Sequence, residues 1–163
     1  MHELLLGIHG ANPTTLPGLT DYSLMKLTAE LGNNIKQWPN VKCFVSWLGL
    51  SPGKSQSGKM VKRSKKKSVT RAGQIFKQAA QTLLISKQPG LGAFARRIKA
   101  RRGAGIAVKA TARKLAELYY KIFDQGMDYV EQGVKMYEEK IKQQQVKFLS
   151  KKAIELNMQL VQI

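Results

Sequence analysis

A serine in a short stretch rich in glycine and lysine is the feature of this sequence that most directly suggests chemistry. The stretch reads Ser55-Gln56-Ser57-Gly58-Lys59. Serine can attack phosphorus where glycine lets the backbone approach a phosphate and lysine neutralises the charge that develops on its oxygens. Serines in such loops are more often plain solvated hydroxyls. The pattern alone therefore leaves a nucleophile and a solvated loop as alternatives.

The same stretch comes close to a nucleotide-binding P-loop without being one. Gly53 and Gly58-Lys59 have the right spacing, but the next residue is Met60. The P-loop motif requires serine or threonine there, because that hydroxyl binds the magnesium ion of the nucleotide. The sequence therefore does not predict a P-loop nucleotide site.

Residues that could hold a metal ion are scarce. The first 116 residues contain three acids, Glu3, Asp21 and Glu30, and the whole chain has two histidines and one cysteine, Cys43. Two-metal nucleases need several converging carboxylates, and two histidines with one cysteine make a poor zinc site. We therefore expect no metal and no cofactor in this chain.

Charge is the strongest compositional feature. The chain of 163 residues carries a formal net charge of +18, and residues 31–116 contain 20 lysines and arginines but no acid. Repulsion on this scale destabilises a fold unless a polyanion lies against it, so nucleic acid is the expected partner. A membrane surface or an acidic protein is the alternative. Since no apolar run approaches a membrane span and no secretory signal is present, we expect a cytoplasmic protein.

Hydrophobic periodicity predicts a mainly α, compact helical domain. Helices are expected over residues 22–31, from Trp38-Pro39-Asn40 to Gly49, from Arg71 towards Pro89-Gly90, and over residues 91–100, 106–123 and 128–150. The last of these is charged in both signs with sparse apolar residues, which indicates a surface or partner-contacting helix. Phe44, Trp47 and Leu48 share an apolar face, which we expect to be buried against the third and fifth helices.

Two segments between or before these helices are candidates for phosphate contact. Residues 51–70 lack a helical period and predict an exposed basic loop or short hairpin. Leu16-Pro17-Gly18-Leu19 resembles half of a helix-hairpin-helix, in which backbone N–H groups near the glycine and the next helix N-terminus face a phosphate. A plain Pro-Gly turn is the alternative for Gly18.

The order of several motifs resembles one known family. They are Leu16-Pro17-Gly18-Leu19, Glu30-Leu31-Gly32, the run from Trp38 to Pro52, Ser57-Gly58-Lys59, Leu91-Gly92-Ala93-Phe94 with Arg96-Arg97, Ala110-Thr111-Ala112 with Lys114-Leu115-Ala116, and Tyr129-Val130 with Gly133. In this order they are similar to the C-terminal domain of the insertion-sequence one-ten/one-sixteen transposases, the bridge-RNA-guided DNA recombinases. The resemblance covers about residues 12–150.

The resemblance implies a function in DNA transposition and recombination, with Ser57 as the nucleophile on a scissile phosphate. Residues 1–14 would form a lead-in, 15–125 the serine-bearing DNA-binding domain, and 126–163 a charged helix and tail. The phosphate-binding candidates, from the resemblance and the charge pattern together, are Gly18, Lys59, Lys62, Arg63, Lys65, Lys66, Lys67, Arg71, Arg96, Arg97, Arg101 and Arg102.

The family also has an N-terminal half with an acidic tetrad, which we expect to be missing here. The chain alone is then expected to be inactive, and Mg²⁺ is expected only with that half. DNA is the implied partner, a structured guide RNA is an open alternative, and the full-length protein is implied to be a homo-oligomer. A non-catalytic basic nucleic-acid-binding protein and a transposase-derived regulator remain alternative functions.

Overall fold

The computed structural model describes residues 10–52, 54–57, 60–63, 68–159 and 161, together with residues 3 and 7, and for 54–57 and 60–63 it describes the backbone. The helices are α1 (Asp21–Leu31), α2 (Val41–Trp47), α3 (Arg71–Ile85), α4 (Leu91–Arg102), α5 (Ala104–Gln125) and α6 (Met127–Glu155). Two 3-10 turns, Pro13–Thr15 and Ile35–Gln37, precede α1 and α2. Strands β1 (Lys54–Ser57) and β2 (Met60–Arg63) pair antiparallel between α2 and α3. The predicted mainly α fold with a short hairpin is confirmed.

Side-chain caps explain where the first three helices begin. The hydroxyl of Thr20 accepts a hydrogen bond of 3.3 Å from the backbone N–H of Ser23, so Thr20 is the cap of α1. Asn40 caps α2 and Thr70 caps α3 in the same way. Such caps satisfy N–H groups that have no partner within the helix. Gly32, with a φ of +69°, ends α1 in a conformation that favours glycine.

Aromatic rings from three helices meet in the core. The Phe44 ring of α2 is fully buried, 6.4 Å from the Phe76 ring of α3 and 5.7 Å from the Tyr120 ring of α5, measured between centroids. Tyr119 lies 5.5 Å from Phe76 in an edge-to-face arrangement. Such pairs add to the stabilisation that burial itself provides. These side chains therefore join α2, α3 and α5 within a core that also contains many aliphatic residues.

The expectation that Trp47 is buried in the core is wrong. Phe44 and Leu48 are fully buried, but 41% of Trp47 is exposed to solvent. The reason is its place at the end of α2, where its ring lies beside that of Trp38, 5.0 Å away between centroids. Trp38 itself is half-buried and packs against the core from the 3-10 turn. Trp47 thus covers the edge of the core.

Helix α6 packs on the domain mainly through its first half. Val130 is buried in the core, and the Tyr137 ring lies 6.5 Å from the Phe94 ring of α4. A Cβ atom at Gly90 would come within 2.7 Å of Oε1 of Glu138, so glycine there lets this carboxylate approach the N-terminus of α4. Negative charge is favourable at a helix N-terminus. Towards its end α6 exposes its apolar side chains Val146, Phe148, Leu149 and Ile154, in keeping with the predicted surface helix.

The different burial of Phe44 and Trp47 can be tested by substitution. Phe44→Ala removes a fully buried ring and is expected to lower the free energy of unfolding by about 3–5 kcal/mol. Trp47→Ala is expected to cost clearly less, because its ring already contacts solvent. Urea denaturation followed by circular dichroism measures both. Equal losses would contradict the placement of Trp47 at the edge.

Candidate nucleic-acid interface

The basic hairpin, residues 54–63, leaves the helical domain at a tightly packed root. The chain departs after Leu48 and returns at Thr70, whose N–H donates a 3.3 Å hydrogen bond to the carbonyl oxygen of Leu48. A Cβ atom at Gly49 would collide with the carbonyl oxygen of Ser68, and one at Gly73 with that of Leu48. Only glycine allows the two backbones to come this close. The packing therefore fixes both ends of the segment that carries the hairpin.

The register of the two strands places Ser57 at the end of β1. Ser57 pairs with Met60 and Ser55 with Lys62. Successive residues of a strand belong to opposite faces, and directly paired residues belong to the same face. Ser55, Ser57 and Lys62 therefore share one face of the ribbon, and Arg63 belongs to the other. The candidate nucleophile and the candidate Lys62 are diagonal neighbours on that face.

Several predicted phosphate contacts fall where the structure gives no placement. Lys59, Lys65, Lys66 and Lys67 lie outside the described residues, and for Ser57, Lys62 and Arg63 the structure describes the backbone. Their participation stays a prediction.

Arg71 is the described candidate nearest to the hairpin root, since it follows Thr70 directly at the start of α3. Its side chain is 89% exposed, and one guanidinium nitrogen lies 3.8 Å from Oε1 of Glu30. An ion pair this exposed contributes little to stability. Arg71 is therefore available to a ligand at the root of the hairpin.

Arg96 has a structural task that the sequence did not reveal. Its guanidinium donates hydrogen bonds to the carbonyl oxygens of Ser86, at the end of α3, and of Gln88, the latter at 3.3 Å. It is half-buried and joins α4 to the segment that connects it to α3. Every residue has a backbone carbonyl, so the sequence cannot show which carbonyl oxygens accept hydrogen bonds from Arg96. Only the fold shows this role.

The other candidates on α4 differ from Arg96 in their surroundings. Arg97 is exposed and lies within 3.4 Å of the Tyr137 hydroxyl and 3.5 Å of Oε1 of Gln144, both on α6. Arg101 and Arg102 are exposed in the last turn of α4. Positive charge is favourable there because of the helix dipole.

Gly18 lies in the turn before α1 and is packed against α3. A Cβ atom there would come within 2.9 Å of the carbonyl oxygen of Ala79, and φ is +86°. The packing alone demands glycine at this position. Its predicted contact with a phosphate stays a prediction.

The structure brings Phe44 and Trp47, which the sequence predicted to lie in the core, together with Trp38 in an aromatic cluster in which the Trp38 ring lies between the other two. The Tyr120 hydroxyl donates a 2.8 Å hydrogen bond to the carbonyl oxygen of Trp38 and so fixes the turn that carries this ring. Desolvation, and to a smaller extent the neighbouring acidic groups of Asp124 and Cys43, raise the pKa of the Tyr120 hydroxyl above its usual value near 10. The hydroxyl is therefore a neutral donor at physiological pH. The cluster lies at the end of α2, beside the hairpin root.

Among the described residues, no group of three or more histidine, cysteine or acidic side chains is placed to hold a metal ion. Within the same part of the chain, no helix has the length and hydrophobicity to cross a membrane.

Residues 12–96 match the model of the transposase family described as IS116/IS110/IS902. The chain belongs to this family. The match covers just over half of the chain and includes the Gly18 turn, the basic hairpin and Arg96. No curated protein and no solved structure matches the chain. Membership of a transposase family implies an interaction with DNA.

The two kinds of arginine on α4 can be separated by matched substitutions. Arg96→Gln removes two hydrogen bonds to carbonyl oxygens and is expected to lower the free energy of unfolding by about 1–3 kcal/mol. Arg101→Gln removes an exposed charge and is expected to change it by less than about 0.5 kcal/mol. Urea denaturation of both variants is the measurement. If Arg101→Gln is the more destabilising change, the structural role of Arg96 is refuted.

Proposed function

We propose that this chain is a DNA-binding domain of a transposase, and that Ser57 is its nucleophile on a scissile phosphate. The observation that carries the proposal is the position of the serine-bearing basic hairpin within the segment that matches the transposase family. DNA transposition and recombination would be the process in which this domain acts.

Electrostatics support DNA as the ligand. Residues 31–116 carry 20 basic residues and no acid. Lys42, Arg71, Arg101 and Arg102 are exposed on helices around the core. Each lysine or arginine that neutralises a phosphate releases counterions from the DNA into solution, and this release supplies much of the affinity for nucleic acid. Such contacts bind and position the strand, whereas reading its sequence requires contacts with bases.

The chemistry proposed for Ser57 is a transesterification. Its Oγ forms a bond to the phosphorus, the bond from phosphorus to one deoxyribose oxygen breaks, and the serine proton ends on the hydroxyl that leaves. Positive charge beside the phosphate stabilises the oxygens as the bond forms. Lys62 is a suitable donor of that charge, because it belongs to the same face of the hairpin as Ser57. Lys59 and Arg63 would add to it.

The proposed reaction would also need components other than Ser57 and the basic residues of the hairpin. The resemblance to bridge-RNA-guided recombinases implies an acidic half that binds Mg²⁺, a structured guide RNA and a homo-oligomeric assembly. Carboxylates of that half would activate the serine and the leaving oxygen. We therefore propose that the 163-residue chain binds DNA but does not cut it.

Binding should depend steeply on salt. If about 6–10 phosphates are neutralised, the logarithm of the association constant should fall with the logarithm of salt concentration with a slope of about −5 to −9. The slope is measured by fluorescence anisotropy of a labelled duplex in about 50 to 300 mM NaCl. A slope near zero would refute DNA binding through the basic surface.

The nucleophile can be identified by covalent trapping. The chain alone should leave DNA uncut with or without Mg²⁺. With the acidic half supplied, fused or in trans with its RNA, a protein–DNA adduct resistant to denaturation should form. Ser57→Ala should abolish this adduct and leave the affinity nearly unchanged, because one hydroxyl contributes little beside many phosphate contacts.

Ser55→Ala is the matched control, since Ser55 belongs to the same face of β1. An adduct that survives Ser57→Ala and is lost in Ser55→Ala would move the nucleophile to Ser55. Strand cleavage by the 163-residue chain alone would contradict its proposed dependence on the acidic half. A chain that binds DNA but never forms an adduct would be a regulator or a plain binding protein.

A further inference from the structure

Three aromatic rings lie in a layered arrangement from the core to the surface beside the hairpin root. Phe44 is fully buried, the Trp38 ring lies 5.0 Å from it at an interplanar angle of 65°, and the Trp47 ring lies 5.0 Å from Trp38 at 53°. The outermost ring, Trp47, is 41% exposed. A large apolar ring is thus presented to solvent on a rigid aromatic support.

The support is fixed from several directions. The Tyr120 hydroxyl holds the backbone of Trp38 through a 2.8 Å hydrogen bond. The Asn40 side chain caps the first turn of α2 through a 2.9 Å bond from the N–H of Cys43. Holding the ring in one orientation before binding reduces the entropy lost when a ligand stacks on it.

Trp47 is also adjacent to the point from which the hairpin projects. The next residue, Leu48, accepts the hydrogen bond from Thr70 that closes the hairpin root. Arg71, with its 89% exposed side chain, follows Thr70 directly. An exposed ring and an exposed guanidinium therefore flank the root of a hairpin whose sequence contains Lys54, Lys62 and Arg63.

We propose that Trp47 is a stacking platform for an unpaired nucleobase of the strand whose phosphates lie along the basic hairpin. The inference rests on the proposed function, which it extends from phosphate contact to base contact. A nucleobase fits because it presents a flat π-face to the ring while its phosphate meets the surrounding positive charge. Every base has such a face, so the platform is tolerant of sequence.

The test combines a change in the protein with a change in the ligand. The purified chain is titrated with a labelled oligothymidylate, with an abasic oligonucleotide of the same length, and with a duplex. Trp47→Leu removes the aromatic ring but keeps an apolar side chain against Trp38, and Trp47→Phe keeps a ring. Tyr129→Ala is the matched control, since Tyr129 is 52% exposed on α6.

The unsubstituted chain is expected to bind oligothymidylate about tenfold more tightly than the abasic strand, because stacking of one base contributes that much or more. Trp47→Leu should bind both strands equally, and Trp47→Phe should restore most of the difference. Duplex affinity and the salt slope should stay within about twofold in all variants, since no phosphate contact is removed. Tyr129→Ala should behave as the unsubstituted chain.

Tryptophan emission gives a second readout that requires no substitution. The chain has two tryptophans, Trp38 and Trp47, and both belong to the cluster. Oligothymidylate should quench their emission strongly, whereas the abasic strand should not, because only a base can stack.

The outcomes separate this inference from the proposed function. Equal affinity of the unsubstituted chain for oligothymidylate and the abasic strand, with tight duplex binding retained, overturns the platform and leaves DNA binding in place. Loss of affinity for all three ligands in Trp47→Leu also overturns the platform, since a base contact would not affect the abasic strand. Failure of the unsubstituted chain to bind any of the three overturns DNA binding itself.

Discussion

The position of the basic hairpin depends on one backbone contact between the end of α2 and the start of α3. Thr70 donates its N–H to the carbonyl oxygen of Leu48, and Gly49 and Gly73 leave no side chain between the two segments. The buried Phe44 ring joins the same two helices one turn away. Because both ends of the hairpin segment are fixed to the core, its strands start from a defined place, which the proposed reaction of Ser57 with DNA would require.

The fold must accommodate repulsion among the basic residues of segment 31–116, which contains no acid. Part of that charge is offset internally. Arg71 lies 3.8 Å from Glu30, and Arg113 lies 2.9 Å from Glu117, so acids that flank the acid-free segment on either side reach into it. Arg96 is engaged by carbonyl oxygens instead. Arg96 and Arg113 therefore have partners within the domain, whereas the exposed Arg71 is only weakly engaged, so fewer than the 20 basic residues would be available to a polyanion.

The helices could be predicted from the sequence because their hydrophobic period and their caps are local. The predicted start at residue 22 and the observed α1, Asp21–Leu31, differ by one residue. The site could be predicted only in part. Periodicity places Trp47 on the same face as Phe44 but cannot show that α2 ends there and leaves the ring at the edge. Nor can sequence show that Arg96 faces carbonyl oxygens, because any residue supplies one. Errors of this kind concern tertiary neighbours, which no local pattern encodes.

The chain between Trp47 and Ser57 bears on how these two residues would contact one DNA strand. Nine residues lie between Trp47 and Ser57, and the last three of them form β1 together with Ser57. A strand rises about 3.3 Å per residue, so Ser57 lies about 10 Å beyond Lys54 along β1. Since Trp47 precedes β1 and Ser57 ends it, a base on the ring and a phosphate at the serine would belong to different nucleotides under the two proposals. Under these proposals the ring would hold one part of a strand while Ser57 reacts with another, so that binding and chemistry would use different nucleotides.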